Sequence, residues 1–297
     1  GRKIDDRILH QDFPVAGQEA FARRIGATVG YDFARGHLGT AVHPFATSFD
    51  RDDARITTRW YPDFLSPSLF GTLHECGHAM YEQGVAPELS RTPLGRGASA
   101  GIHESQSRMI ENLVGRSRDF WRAHFPDLQA AFPQQLGRTD AESFYGAINK
   151  VQPSLIRVEA DELTYNLHII LRFELEQAML GGDLSAADLP GAWREGLQRL
   201  LGVTPPDDRE GCLQDVHWSG ASFGYFPTYA LGNLYAVQMY EAALAGDPSV
   251  ASQLALGRTD ALVDWLRRNV HRHGRKYPPD RLIHLATGRP LDHQPFI

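Results

Sequence analysis

Gly71 to Gly84, GTLHECGHAMYEQG, constrains this chain more than any other stretch. His74 and His78 stand four positions apart, a spacing that stacks both imidazoles on one face of an α-helix. One divalent metal bound by two neutral ring nitrogens asks for that geometry. Glu75 then lies about 80° around the helix from the midpoint of the two rings. From there a carboxylate can act on a bound water without displacing a ligand. The alternative is a pair of core histidines satisfied by carbonyls, with a surface glutamate between them.

The flanks predict a helix, with Ser66 as N-cap, Pro67 in its first turn and Gly84 as a left-handed stop. Phe70, His74, Gly77 and Tyr81 fall on one stripe, which turns the histidines inward. Glycine inside a helix costs about 1 kcal/mol against alanine, so Gly77 predicts the close approach of another backbone.

The rest of the chain narrows the classes. Its 297 residues, 42% hydrophobic and 22% charged, have the composition of a globular protein. A net charge of −6 gives no footprint for nucleic acid or an anionic membrane. No apolar run reaches the roughly eighteen residues of a membrane span. Two cysteines, Cys76 and Cys212, rule out a disulfide framework and favour a reducing compartment, read here as the cytoplasm. The chain opens on Gly1 with neither initiator methionine nor signal peptide, as a fragment or short form would. Without repeats or a convincing linker, residues 1–297 are expected to form a single domain.

Periodicity predicts a mainly α chain with one small β region. Helices are expected over Gln18–His37, from near Ile102 to about Phe120, and over Ala141–Val151. Others are expected over Ser154–Leu180, Gly191–Leu201 and Thr259–His273. Alternation between Phe45 and Trp60, clearest from Ala54, predicts a strand whose free edge could pair with an extended substrate. Arg55 on it reads equally as a solvated strand face. The glycine-rich stretch 84–101 is a candidate cleft wall or lid. Arg157 and Asp161 have the spacing of a surface ion pair on the long helix. The Gly- and aromatic-rich segment from His217 to Tyr229 resembles an active-site wall.

Two histidines need a third protein ligand. The metzincin pattern fails, because Tyr81 stands where its glycine should be and Gly84 where its third histidine should be. Glu104, the first acid after the glycine-rich loop, is expected in the first turn of a helix, where the dipole keeps a carboxylate ionised. Glu82 and Glu111 are rivals. Two histidines, a glutamate and a basic Glu75 suit peptide-bond hydrolysis, with an oxyanion donor among His217, Tyr225 and Tyr229.

The ordered set HPF (43–45), DARIT (53–57), HECGH (74–78), HESQ (103–106), IRVEADELTY (156–165) and GCLQDVHW (211–218) resembles the M32 metallocarboxypeptidases, the thermostable carboxypeptidase Taq family. The C-terminal HRHGRKYPPDRLIHLATG is similar too, so the resemblance spans nearly the whole chain. It implies a zincin-like helical fold of the gluzincin type, with a small β-sheet beside a deep active-site groove. By position it implies His74, His78 and Glu104 as ligands of one divalent metal, zinc first and cobalt second. Glu75 becomes the general base and acid, Arg157 the holder of a substrate's terminal carboxylate, and His217 with Tyr229 the oxyanion or terminus partners. Arg55 is placed on the substrate side and His43 in a supporting role. Peptides with a free C-terminus are the implied substrates and a homodimer the implied assembly. The chain looks short of much of the family's N-terminal helical region. Competing readings are an endopeptidase or aminopeptidase on the same site, or a non-catalytic, metal-stabilised helical binding protein.

Overall fold

The structure, a computed structural model, describes residues 4–297; Gly1 lies outside them. Two compact units emerge, residues 4–149 with 231–297, and residues 150–230.

The first unit is built around helix α2 (Ser66–Gly84), which follows helix α1 (Val15–Val29) and strands β1 (Leu38–Thr40), β2 (Ala46–Asp50) and β3 (Asp53–Thr58). Leu69, Phe70, Leu73, Cys76, Met80 and Tyr81 are all buried, so α2 is enclosed on most of its circumference. The sheet runs in the order β1-β3-β2, with β1 parallel to β3 (Leu38 opposite Ile56) and β2 antiparallel to it (Ala46 opposite Ile56). β3 is thus the central strand without a free edge, and within the predicted 45–60 region it is β2 that lies at an edge of the sheet. Alternate residues Ala54, Ile56 and Thr58 point inward, and Thr58 Oγ1 donates to Ser68 O of α2 (3.3 Å).

Several boundaries differ from those expected. α1 stops early because Gly30 takes a left-handed φ of 109° and caps it. Leu65, not Ser66, is the N-cap of α2, and Ser66 begins the helix. Gly84 is the last helical residue and not a left-handed stop. Its glycine is required by His271, whose Cβ would lie 2.6 Å from a β-carbon there.

The helix expected from Ile102 to Phe120 is three pieces: α3 (Ala100–Arg108), a π-helical segment (Met109–Val114) and α4 (Arg118–Ala131), which Ser117 caps. α5 (Pro133–Leu136) and α6 (Ala141–Ile148) follow. The connection between α2 and α3 is fastened down, since Gly97 N donates to Glu82 Oε1 (3.0 Å) and Ala98 N to the Tyr81 hydroxyl (3.0 Å).

In the second unit a 3-10 turn (Arg157–Glu159) precedes α7 (Glu162–Gly181) and α8 (Leu189–Leu201). α7 begins eight residues later than expected because Asp161 is its N-cap, its Oδ1 accepting from Leu163 N and Thr164 N (3.0 Å each). Gly182 ends it in the left-handed conformation. Leu171, Leu175, Trp193 and Leu197 form this unit's main apolar cluster. Each such side chain stabilises the fold by about 2 kcal/mol. α9 (Pro227–Gly246) starts in this unit and continues in the first, where α10 (Pro248–Leu254), α11 (Asp260–Asn269) and α12 (Pro279–Thr287) complete the chain. Among the described residues helix predominates, with a single small sheet. Among the described residues no helix is long and apolar enough to cross a membrane.

Candidate metal centre

His74 and His78 occupy successive turns of α2, with their Nε2 atoms 3.8 and 3.4 Å from Glu104 Oε2 on α3. The three candidate ligand atoms lie within 4.8 Å of one another. Two neutral nitrogens and one carboxylate oxygen facing a common point fit a single divalent cation. The approach of α3 depends on two glycines. A β-carbon on Gly77 would meet the Gln106–Ser107 backbone, 2.5 Å from Ser107 Cα, and one on Gly232 would lie 2.7 Å from Glu104 Cβ.

Glu104 does not sit in the first turn of its helix. Ser99 caps α3, accepting from Ile102 N, and Glu104 belongs to the second turn. Its ionisation therefore has another source. Burial pushes the carboxyl up, but His74, His78 and Arg108 together bring it down to about 2.

The outward-facing ring nitrogens are also held. His74 Nδ1 is 2.8 Å from Glu111 Oε2, and Arg108 Nη1 donates to the same oxygen (3.0 Å) while Arg116 Nη2 lies 3.6 Å from Oε1. Burial opposes the Glu111 charge, yet Arg108, His74 and Arg116 hold it well below the usual carboxylate range. His78 Nδ1 is 2.7 Å from His103 Nδ1, and His103 Nε2 is 2.8 Å from Glu82 Oε1. Glu111 and Glu82, the rivals for third ligand, thus stand behind the histidines. Histidine ligands commonly have such outer partners, which fix tautomer and ring orientation. Burial lowers His74, but Glu104, Glu111 and Glu75 raise it to about 9; burial, with His103 and His74, takes His78 to about 4.

Glu75 is buried, and its Oε2 has no hydrogen-bond partner among the described residues. Burial pushes its carboxyl up to about 7, with Glu104 and Glu111 adding to the rise against His74. A carboxyl near neutrality can both take and return a proton.

The second unit brings Arg157, His217 and Tyr229 together. Arg157 Nε and Nη2 donate to Asp215 Oδ1 (3.0 and 2.7 Å), and Nη1 donates to the Tyr165 hydroxyl (3.0 Å). No pair with Asp161 forms, because Asp161 is engaged as the α7 cap and Arg157 lies before the helix. Arg172 Nε donates to the other oxygen of Asp215 (2.6 Å), so one carboxylate serves two buried guanidinium groups. His217 Nε2 is 2.9 Å from the Tyr229 hydroxyl, and the Tyr229 ring lies 4.6 Å from Arg157 Cζ. Tyr225 also packs near His217, with ring centroids 5.4 Å apart.

Arg55 stands apart on the exposed face of β3. Its Nε and Nη2 donate to Asp53 (2.7 and 2.8 Å), and its guanidinium lies 5.1 Å over Phe49. His43 is exposed, with Nδ1 2.9 Å from Pro44 O.

Sequence reasoning left Asp215, Arg172 and His103 without roles, although Asp215 and His103 lie inside the motifs it singled out. An acid two positions before His217 was the available signal for Asp215. Glu176 was missed entirely; it is buried and accepts from Trp218 Nε1 (2.7 Å) and Gly224 N (3.1 Å), tying down the segment that carries His217.

Known proteins share this arrangement of sequence. Residues 2–297 match the family described as Carboxypeptidase Taq (M32) metallopeptidase. Thermostable carboxypeptidase 1 of Thermus thermophilus is 48% identical over 297 residues, covering 100% of this chain and 58% of that protein. Carboxypeptidase 1 of Bacillus subtilis is 45% identical over 292 residues, covering 98% of this chain and 58% of that protein. The chain therefore spans under two thirds of the length of these curated relatives. Among solved structures, the M32 carboxypeptidase from Deinococcus radiodurans R1 superposes with a TM-score of 0.96 at 47% identity, over 99% of this chain and 60% of that one. Trypanosoma cruzi metallocarboxypeptidase 1 does so with a TM-score of 0.91 at 35% identity, over 100% and 61%. With the match running through both units and all of the motifs, the chain belongs to the carboxypeptidase Taq (M32) family of metallopeptidases.

Proposed function

We propose that this chain carries the catalytic centre of a metal-dependent carboxypeptidase, which removes residues from peptides with a free C-terminus. The observation that carries the reading is the convergence of His74 Nε2, His78 Nε2 and Glu104 Oε2, with the buried Glu75 carboxyl on the same helix. A divalent ion held there, zinc ahead of cobalt, supplies Lewis acidity that polarises the scissile carbonyl and lowers the pKa of a water.

Glu75 takes the proton from the attacking water and delivers it to the leaving amine. Its burial makes both transfers accessible near neutral pH. His217 and the Tyr229 hydroxyl, already hydrogen-bonded, are the proposed donors to the oxyanion or to the substrate terminus. Arg157 holds the terminal carboxylate: of its five N–H donors, three are engaged by Asp215 and Tyr165, which leaves two on the Nη atoms. Arg55 keeps donors beyond the two on Asp53, but it lies on the exposed face of β3, a weaker basis for a substrate role. A cytoplasmic homodimer of one metallocarboxypeptidase domain completes the proposal; the free, buried Cys76 and Cys212 suit that reducing compartment.

The test pairs peptides that differ only in a free or amidated C-terminus, with and without a chelator. Release of free C-terminal amino acids that stops on chelation and on amidation is the expected result. Equal cleavage of the amidated peptide points to an endopeptidase or aminopeptidase instead. Tight metal binding without turnover of any peptide points to a binding protein.

A further inference from the structure

We propose that His103, backed by Glu82, is a positioning residue for the metal ligand His78, and that it fixes the tautomer and the ring plane of that ligand. The inference rests on the metal-site reading above. Its observation is the contact of two imidazoles through like atoms, His78 Nδ1 to His103 Nδ1 at 2.7 Å. Such a contact holds only when one nitrogen carries a proton and the other a lone pair.

The direction of the chain then follows. If His78 Nε2 offers its lone pair to the metal, the neutral ring carries its proton on Nδ1 and donates to His103 Nδ1. His103, accepting there, must carry its own proton on Nε2, which faces Glu82 Oε1 at 2.8 Å. Glu82 is equipped to receive it. Its Oε1 accepts from His103 Nε2 and from Gly97 N (3.0 Å), and the carboxylate is buried. Both nitrogens of His103 are therefore committed away from the metal, so His103 is not a fourth ligand.

The ring of His103 is also fixed sterically. It lies between His78 and Tyr81, with centroids 4.8 and 5.2 Å away, and a β-carbon on Gly97 would sit 2.6 Å from its Cδ2. The two histidine ligands are thus supported differently. His74 has a carboxylate at Nδ1, the commoner arrangement, whereas His78 has a neutral imidazole with a carboxylate one step beyond. Packing alone would accept any flat ring at position 103; the hydrogen-bond chain requires an acceptor towards His78 and a donor towards Glu82.

Zn2+ affinity of the metal-stripped protein, read by competition with a chromophoric chelator, and the visible spectrum of the Co2+-loaded protein separate these roles. His103→Phe keeps the ring and removes both nitrogens. It should weaken Zn2+ binding by about 10- to 100-fold and shift the Co2+ bands. His103→Gln, whose amide can accept from His78 and donate to Glu82, should recover most of the affinity. Affinity within about twofold of the parent for His103→Phe, or no advantage of Gln over Phe, overturns the proposal. Should His103→Phe not fold, Glu82→Met removes the acceptor behind His103 without touching His78. It must still weaken Zn2+ binding several-fold, and unchanged affinity overturns the proposal equally. His78→Ala is the control: an affinity insensitive to it overturns the metal-site reading together with this one. Sensitivity to His78→Ala but not to His103→Phe overturns this one alone.

Discussion

Gly77 of α2 lies directly against Ser107 of α3, so close that a β-carbon would stand 2.5 Å from the Ser107 Cα. The two histidines and Glu104 come from these same two helices, and their ligand atoms meet because the helices do. Backbone cannot step aside as a flexible side chain can. Gly77→Ala should therefore cost about 1–3 kcal/mol of stability, despite the gain of roughly 1 kcal/mol in helix propensity. It should also weaken metal binding, because moving α3 moves Glu104. Urea denaturation and Zn2+ titration check this; a variant more stable than the parent contradicts it.

Glu75→Gln keeps the side chain's shape and removes its ability to take a proton. Turnover should fall by about 10²- to 10⁴-fold while metal content stays that of the parent. Initial rates together with metal analysis of the same sample test it. A fully active variant removes Glu75 from the mechanism, and loss of the metal shows that it supports the ligands instead.

Asp215 neutralises two buried cations at once, so its removal is costlier than that of an ordinary surface acid. Asp215→Asn leaves Arg157 and Arg172 facing each other with no anion between them, which should cost about 3–5 kcal/mol. Burial opposes the Asp215 charge, but the two guanidiniums bring its pKa down to about 2. This contribution is complete above the ordinary carboxylate pKa and is lost as the pH falls through about 2. Chemical denaturation at pH 7 of the parent and the variant measures the cost directly.

What the sequence disclosed tracks how local each feature is. The register of His74, Glu75 and His78 follows from helix geometry alone, and Gly77 announced the neighbouring backbone by being a poor helix residue. Glu104 could not be separated from Glu82 and Glu111 by spacing. Its place came from resemblance, and the dipole argument attached to it fails because α3 starts at Ala100. The structure instead sets Glu82 and Glu111 one step out, Glu111 on a π-helical segment that the apolar pattern reads as plain helix. Arg157 reads as the partner of Asp161 because the two are four apart. Its actual partner, Asp215, is 58 positions away, a distance at which no periodicity speaks. Gly84 reads as a stop for the same reason: its neighbour His271 is remote in sequence, and only the folded chain brings them together.

Two buried histidines outside the metal centre predict how stability depends on pH. Neither ring nitrogen of His168 has a hydrogen-bond partner among the described residues, and its site beside Arg172 and Arg157 disfavours a further positive charge. His271 donates through Nε2 to Gln106 Oε1 (2.8 Å), which leaves Nδ1 unprotonated and buried. Burial, helped by the neighbouring cations, takes each from 6.5 down to about 3. The unfolded chain therefore binds more protons than the folded one between about pH 3 and 6.5. Stability is complete above pH 6.5 and falls as the pH drops towards 3. From pH 6.5 to 5 each histidine should account for about 2 kcal/mol of that loss. Denaturant unfolding at pH 7.5 and 5 should show His168→Leu and His271→Met each losing about 2 kcal/mol less than the parent on acidification. Comparing differences removes the common contribution of the metal-centre groups. His168→Leu should also be no less stable than the parent at pH 7.5, because it exchanges an unpaired polar ring for an apolar side chain. An acid-induced loss as large as the parent's in both variants assigns the pH dependence to other groups.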